Sequence, residues 1–253
     1  MMSCGTLHNN RRWGQDVTLT PGWSRAGQAA KNALRTPRVW APLLGAVVLQ
    51  IHDMDEEVAE WAVERTPVFG SQANACRASA TLIRASNIAY WLSVLATPGG
   101  EHAADWICAK SKGVAVGVSA NQATFHMTRF LQNTIGRERP NAESDFTSFP
   151  SLHTSYAASQ IMLASRNMNH WPVSPTFRTG AKLGLETITV GMAWSRVEAR
   201  KHYPSDVLAG IALGYFVSAF LTDAFLGIPL PDSFKLSIGP GHGTIVMCFL
   251  GTF

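Results

Sequence analysis

The chain has 253 residues, 46% of them hydrophobic and only 15% charged, with a formal net charge of +4. This length can bury one sizeable core, no linker or repeat divides it, and its charge content is below the usual quarter. The four cysteines lack framework spacing and the eight histidines form no HExxH or paired-cysteine motif, which argues against a disulfide scaffold and a motif-built metal centre.

Residues 1–38 read as a basic N-terminal arm, in which Arg11, Arg12, Arg25, Lys31, Arg35 and Arg38 stand against Asp16 alone. Such an arm can lie on anionic lipid headgroups, or be a solvated surface. Met1-Met2-Ser3-Cys4-Gly5 has the small-residue-then-cysteine order of a lipoprotein cleavage site, but no apolar run precedes it. Cys4 stays open between a lipidation site and an ordinary cysteine. No aromatic-basic patch or recognised module supports nucleic-acid binding.

Residues 39–232 read as one all-α helical domain. Apolar residues form broad faces over 39–52, 78–97, 113–131, 154–166, 181–195 and 206–222, each predicting a helix. Three polar, chemistry-bearing segments connect or open the later helices. Gly136-Arg137-Glu138-Arg139-Pro140 follows the third, Ser148-Phe149-Pro150-Ser151-Leu152-His153-Thr154-Ser155 opens the fourth, and a stretch from Ser195 to Asp206 joins the fifth to the sixth. Residues 233–253 break the pattern. There 235–238 and 244–250 flank Gly239-Pro240-Gly241-His242-Gly243, predicting a short β-hairpin with His242 at its turn.

The Ser195–Asp206 stretch places a guanidinium, an imidazole and a carboxylate together. Arg196 can hold an oxyanion through paired charged hydrogen bonds. His202 can act as a nucleophile if a third group fixes its tautomer, and Asp206, four residues on at a helix start, is placed to do so. Arg139 adds a second fork, Ser151 a hydroxyl, Leu152 a backbone N–H at a helix N-terminus, and His153 a second imidazole. Taken singly, each is an ordinary helix end or cap. Together they converge on one anion.

GRERP, SFPSLHTS and SRVEARKHYPSD, in that order, resemble the three signature motifs of the type 2 phosphatidic acid phosphatase superfamily, over roughly residues 129–222. That superfamily also holds bacterial acid phosphatases and vanadium-dependent haloperoxidases. The resemblance implies an all-α bundle and a phosphoric monoester hydrolase with no metal cofactor. It implies that His202 attacks phosphorus to form a phosphohistidine, Asp206 orients it, and His153 serves as acid and then base. Arg139, Arg196, Ser151 and the Leu152 amide would clamp the phosphoryl oxygens. Two positions depart from the family pattern: Gln132 stands where a lysine is usual, and Leu152 where a glycine is usual. Arg129, three residues before Gln132 on the same helix face, is placed to supply the missing charge. Leucine would be strained if the glycine is there for positive φ, but not if it only admits an oxyanion to a backbone amide.

The expected partner is a phosphorylated small molecule, or a lipid or polyprenyl phosphate; oligomeric state stays open. The expected place is the bacterial cell envelope, on the periplasmic side. Of the apolar stretches, 207–222 is free of charge, whereas 78–97 carries Arg84, 113–128 is diluted by Asn121, Gln122 and His126, and 181–194 holds Lys182 and Glu186. With a mean hydropathy of +0.04, this favours a soluble or surface-attached domain over the alternative of an integral one with six spans. Two other functions remain open on the residues. The same cradle would hold vanadate in a haloperoxidase, and a non-catalytic envelope protein could keep the fold without the lysine.

Overall fold

The computed structural model describes residues 12–141 and 144–227. These are all-α, as expected, with no strand among them. They form α1 (Trp23–Arg35), α2 (Pro37–Val48), α3 (Met54–Arg65), α4 (Gln72–Ala96), α5 (Ala103–Ile135), α6 (Leu152–Met168), α7 (Pro175–Glu198) and α8 (Pro204–Leu221). A π-helical turn over Thr222–Leu226 continues α8. The hairpin expected in 233–253, and Cys4, lie outside the described residues. Part of the basic segment 1–38 is helical: α1 packs on α8, and Arg25 Nε donates to the Asp223 carbonyl at 3.3 Å.

Local chemistry sets the helix ends. Ser71 and Ser174 cap α4 and α7, their hydroxyls accepting the amides of Asn74 and Phe177. Gly136 ends α5 in the left-handed conformation, φ +60°, with its N–H on the Gln132 carbonyl. At the end of α7 the Lys201 and Arg200 amides close back on the carbonyls of Arg196 and Val197, a Schellman arrangement with arginine, φ +55°, where glycine is usual.

Helix α6 is the axis of the bundle. All its residues from Thr154 to Met168 are buried except Tyr156, which is half-buried, and α4, α5, α7 and α8 surround it. Its contact with α8 is unusually close. A Cβ added at Gly214 would lie 2.2 Å from the Ser155 carbonyl oxygen, and one at Gly210 would lie 2.9 Å from that of Ser151. The Gly-xxx-Gly spacing on α8 thus admits the α6 backbone itself. The interior is also polar. Ser159 Oγ donates to Asn121 Oδ1 at 2.8 Å and meets Ser218 Oγ at 2.7 Å, while Ser86 Oγ donates to Gln160 Oε1 at 2.6 Å. These side chains thus bond to one another inside the bundle rather than to solvent.

Candidate active site

The end of α5, the start of α6, the end of α7 and the start of α8 meet at one end of the bundle, and the loops between them carry the candidate residues. Two backbone bonds lock these loops together: Ser151 N–H donates to the Asp206 carbonyl at 3.0 Å, and Ser148 N–H to the Arg137 carbonyl at 2.9 Å.

His202 lies between α7 and α8 and is 1% exposed. Its Nδ1 is 2.8 Å from the Ser148 carbonyl oxygen, which makes Nδ1 the protonated nitrogen. The Asp206 carboxylate stands behind it, Oδ2 lying 3.7 Å from Nδ1. Nε2 is buried with no hydrogen-bond partner, a lone pair held ready. Burial lowers the His202 pKa, the charges of Arg196 and Arg139 adding to the effect and Asp206 opposing it. The ring is therefore neutral at pH 7.

Asp206 is fully buried and fully engaged. Its Oδ2 accepts Ser148 Oγ at 2.6 Å and the Tyr203 amide at 2.8 Å, and its Oδ1 accepts Arg137 Nη1 at 2.9 Å. It caps α8 and backs the imidazole at once.

The charged fork of Arg196, 6% exposed, reaches Ser79 Oγ of α4 at 3.4 Å, while its Nε has no partner. Arg139 donates to Thr147 Oγ1 at 3.0 Å and pairs with Asp145 across 3.2 Å. His153, in the first turn of α6, is exposed and lies in the field of Arg196, His202, Arg139 and Arg129. The structure thus brings both histidines and three arginines to one place.

Ser151 is buried, its Oγ 3.1 Å from Thr154 Oγ1. Leu152 opens α6 with ordinary helical backbone and is not among the residues with positive φ. The family glycine is therefore not needed here for backbone conformation. Gln132 is fully buried; its Nε2 donates to the Pro150 carbonyl at 2.9 Å, and its Oε1 accepts Arg129 Nη1 at 3.4 Å. It braces the loop before Ser151 and anchors the exposed Arg129 beside it. Among the described residues, no group of three or more His, Cys, Asp or Glu is placed to hold a metal ion.

Sequence reasoning passed over Arg137, Ser148 and Asp55. Arg137 stood in the GRERP motif, two residues before Arg139, and Ser148 opened the second motif, so both carried a signal. Asp55 carried none: it is one acid in the charged helix α3, placed here by its tertiary contacts.

Residues 112–227 match the model of the PAP2 superfamily. The fold is similar to the crystal structure of a transmembrane PAP2-type phosphatidylglycerolphosphate phosphatase from Bacillus subtilis, with a TM-score of 0.54 and 20% sequence identity over 74% of this chain and 95% of that one. No curated protein sequence matches the chain. Over residues 112–227 the chain is thus similar in sequence to the PAP2 superfamily, and its helical fold is similar to that of a PAP2-type phosphatase.

Proposed function

We propose that this protein is a metal-independent phosphohydrolase acting on the phosphomonoester of a lipid, with its helical bundle held in a bacterial envelope membrane and its site at the water-facing end. The observation that carries the chemistry is the buried, unpartnered Nε2 of His202, whose Nδ1 is committed to the Ser148 carbonyl and which lies in the field of Arg196 and Arg139.

In this reading the His202 Nε2 lone pair attacks phosphorus as the bond to the leaving oxygen breaks. His153 gives that oxygen a proton. His153 then takes a proton from water, whose oxygen displaces His202 and releases inorganic phosphate. Arg139, Arg196 and the Leu152 amide hold the three non-bridging oxygens, with Ser151 beside them; positioning and charge do most of the work in phosphoryl transfer. The guanidinium groups supply the positive charge, so no divalent ion is required.

The membrane reading rests on the outer surface. Every exposed residue of α2 is apolar, including Trp40, Leu43, Leu44 and Val47, and so is every exposed residue of α4 from 85 to 96. The exposed faces of α5 over 113–127 and α7 over 175–190 carry no formal charge. At 1.5 Å per residue the α5 face alone is about 21 Å tall. The charges that diluted the α7 sequence point inward: Glu186 meets Arg38 at 3.0 Å and accepts the Tyr215 hydroxyl, and Lys182 donates to Asn169. The B. subtilis neighbour, a transmembrane phosphatase, has a similar fold. A periplasmic site would face the headgroups of the outer leaflet.

Purified enzyme in detergent should release phosphate from p-nitrophenyl phosphate and from a short-chain phosphatidic acid, with EDTA present. Orthovanadate should inhibit it, because a site shaped for a five-coordinate phosphoryl group binds that mimic well. Acid-quenched enzyme should hold a phosphohistidine that His202→Ala lacks. Full activity in His202→Ala would sink the mechanism.

A further inference from the structure

We infer that Asp55 and Arg137 are positioning residues for the nucleophile: a carboxylate–guanidinium pair that fixes Asp206 and keeps a net negative charge behind His202. The inference rests on His202 being the nucleophile.

Arg137 reaches both carboxylates. Its Nη1 donates to Asp206 Oδ1 at 2.9 Å and Ser205 Oγ at 2.8 Å, and its Nη2 to Asp55 Oδ2 at 2.8 Å. Its guanidinium carbon lies 4.0 Å from the centroid of Tyr203, the residue after His202. Asp55, in the first turn of α3 and 1% exposed, accepts the Ser205 amide at 2.7 Å, Gln50 Nε2 at 3.0 Å and the Ser205 hydroxyl. A helix outside the matched segment 112–227 is thereby clipped to the residue that precedes Asp206.

Counting charge explains why both members are present. Asp206 alone would put one negative charge behind the imidazole, compensating the cation that forms when His202 is phosphorylated. Arg137 fixes the carboxylate but cancels that charge. Asp55 restores it, so the trio carries −1 in a well-braced geometry. Without Arg137, two buried carboxylates would stand near one another with no cation between them. Glu56 lies 3.6 Å from Arg137 but is half exposed, where solvent screens it.

A merely structural tie and a charge-balancing pair differ in their pH signatures. The groups facing His202 are Asp206 from α8, Arg196 from α7, His153 from α6, and Arg139 and Asp145 from the loop after α5. None of these groups is itself replaced in the Asp55 and Arg137 variants; among them, Asp206 is the one Arg137 bonds directly. The acid limb of kcat reports His202, which must be unprotonated to attack.

The test is the pH profile of p-nitrophenyl phosphate hydrolysis by full-length enzyme in detergent. Asp55→Asn keeps the shape and removes a negative charge. Its kcat should fall about tenfold to a hundredfold, the range known for groups that orient a metal-bound imidazole, with KM within about twofold. Its acid limb should move to lower pH, because the imidazolium loses support. Arg137→Gln should also be slower, with the acid limb moved to higher pH. The double variant Asp55→Asn/Arg137→Gln leaves Asp206 as the lone charge, so its acid limb should return to the wild-type position and part of kcat should recover. If Asp55→Asn does not fold, Arg137→Gln and Arg137→Lys carry the test, the lysine keeping the acid limb in place while lowering kcat. Acid limbs that do not move, or a double variant slower than both single ones, overturn the inference. His202→Ala runs alongside. If it stays active, the nucleophile reading fails; if it is dead while the Asp55 and Arg137 variants match wild type, only this inference fails.

Discussion

Gln132 and Arg129 form a linked pair beside the proposed phosphoryl site. A lysine at 132 would bring a point charge to the phosphoryl oxygens; glutamine brings a neutral amide, and that amide is bound to the Pro150 carbonyl. On the proposed reading Arg129, one turn back, supplies that charge; the Gln132 side-chain oxygen accepts from it at 3.4 Å, and its field reaches His153. A hydrogen bond to a charged group is worth about 1.5–3 kcal/mol, so losing one from the transition state slows the reaction about tenfold or more. Arg129→Ala should lower kcat/KM by that factor, nearly as much as Arg139→Ala, whereas Gln132→Lys should leave it close to wild type. Steady-state kinetics on p-nitrophenyl phosphate decide the matter. A silent Arg129→Ala with a tenfold gain in Gln132→Lys would make Arg129 a surface residue and the site a weakened one.

Among the elements, α8 and α6 do the positioning, and their crossing is set by glycine. Gly210 faces the carbonyl of Ser151, one residue before the Leu152 amide that is proposed to bind the phosphoryl group. A Cβ at 2.9 Å from that oxygen must push the backbone by a few tenths of an ångström, and phosphoryl transfer is sensitive to displacements of that order. Gly210→Ala should therefore lower kcat at least severalfold while the thermal midpoint changes little. Gly214→Ala, whose Cβ would meet the Ser155 carbonyl at 2.2 Å, should lower the midpoint itself. A Gly210→Ala enzyme with unchanged kcat would mean the loop absorbs the shift. The six helices carrying long apolar faces were legible in the sequence because burial leaves a periodic trace. Their starts were less so: α4 begins at Gln72 and α5 at Ala103, earlier than the apolar pattern does. Helix α3 left no such trace, half of its residues being charged, and α1 mixes apolar residues, mostly alanine, with an equal number of polar ones. The three motif loops were legible because Arg139, His153, Arg196 and His202 are residue types that chemistry demands. The carbonyl that pins His202 was not, since any residue has one and only the fold places that of Ser148 within 2.8 Å.

At the scale of the whole molecule, hydropathy and surface give opposite impressions, and the surface is the better guide. Mean hydropathy counts Lys182, Glu186, Arg166 and Asn121 against a membrane, yet each is turned into the bundle. Glu186 pairs with Arg38, Arg166 with Asp223 at 2.5 Å, and Asn121 accepts from Ser159. Small residues and glycines fill the helix contacts, while Trp91, Leu92, Phe130 and Leu183 face outward, more than 40% exposed. A monomeric water-soluble bundle rarely leaves so extended an apolar surface uncovered. In the proposed membrane setting, lipid hydrocarbon would tolerate this arrangement, because helix backbone bonds are made within each segment and many polar side chains pair inside the bundle. Among the described residues one helix, Pro204–Leu226, is apolar and long enough to cross by itself, its best 18-residue window having a mean hydropathy of 1.7, but 72% of that window is buried, so in the proposed membrane setting the outer faces of α2, α4, α5 and α7 would make the lipid contact. Those faces present an uncharged band, with Arg84 exposed just beyond the α4 stripe on the side toward the site. The protein should accordingly stay with the membrane pellet through high salt and alkaline carbonate, and should become monodisperse only in detergent. Release by carbonate into a monodisperse, detergent-free species would instead fit a surface-attached domain. The apolar belt would then have to be covered by protein, and a soluble phosphate ester would replace the lipid as the natural substrate.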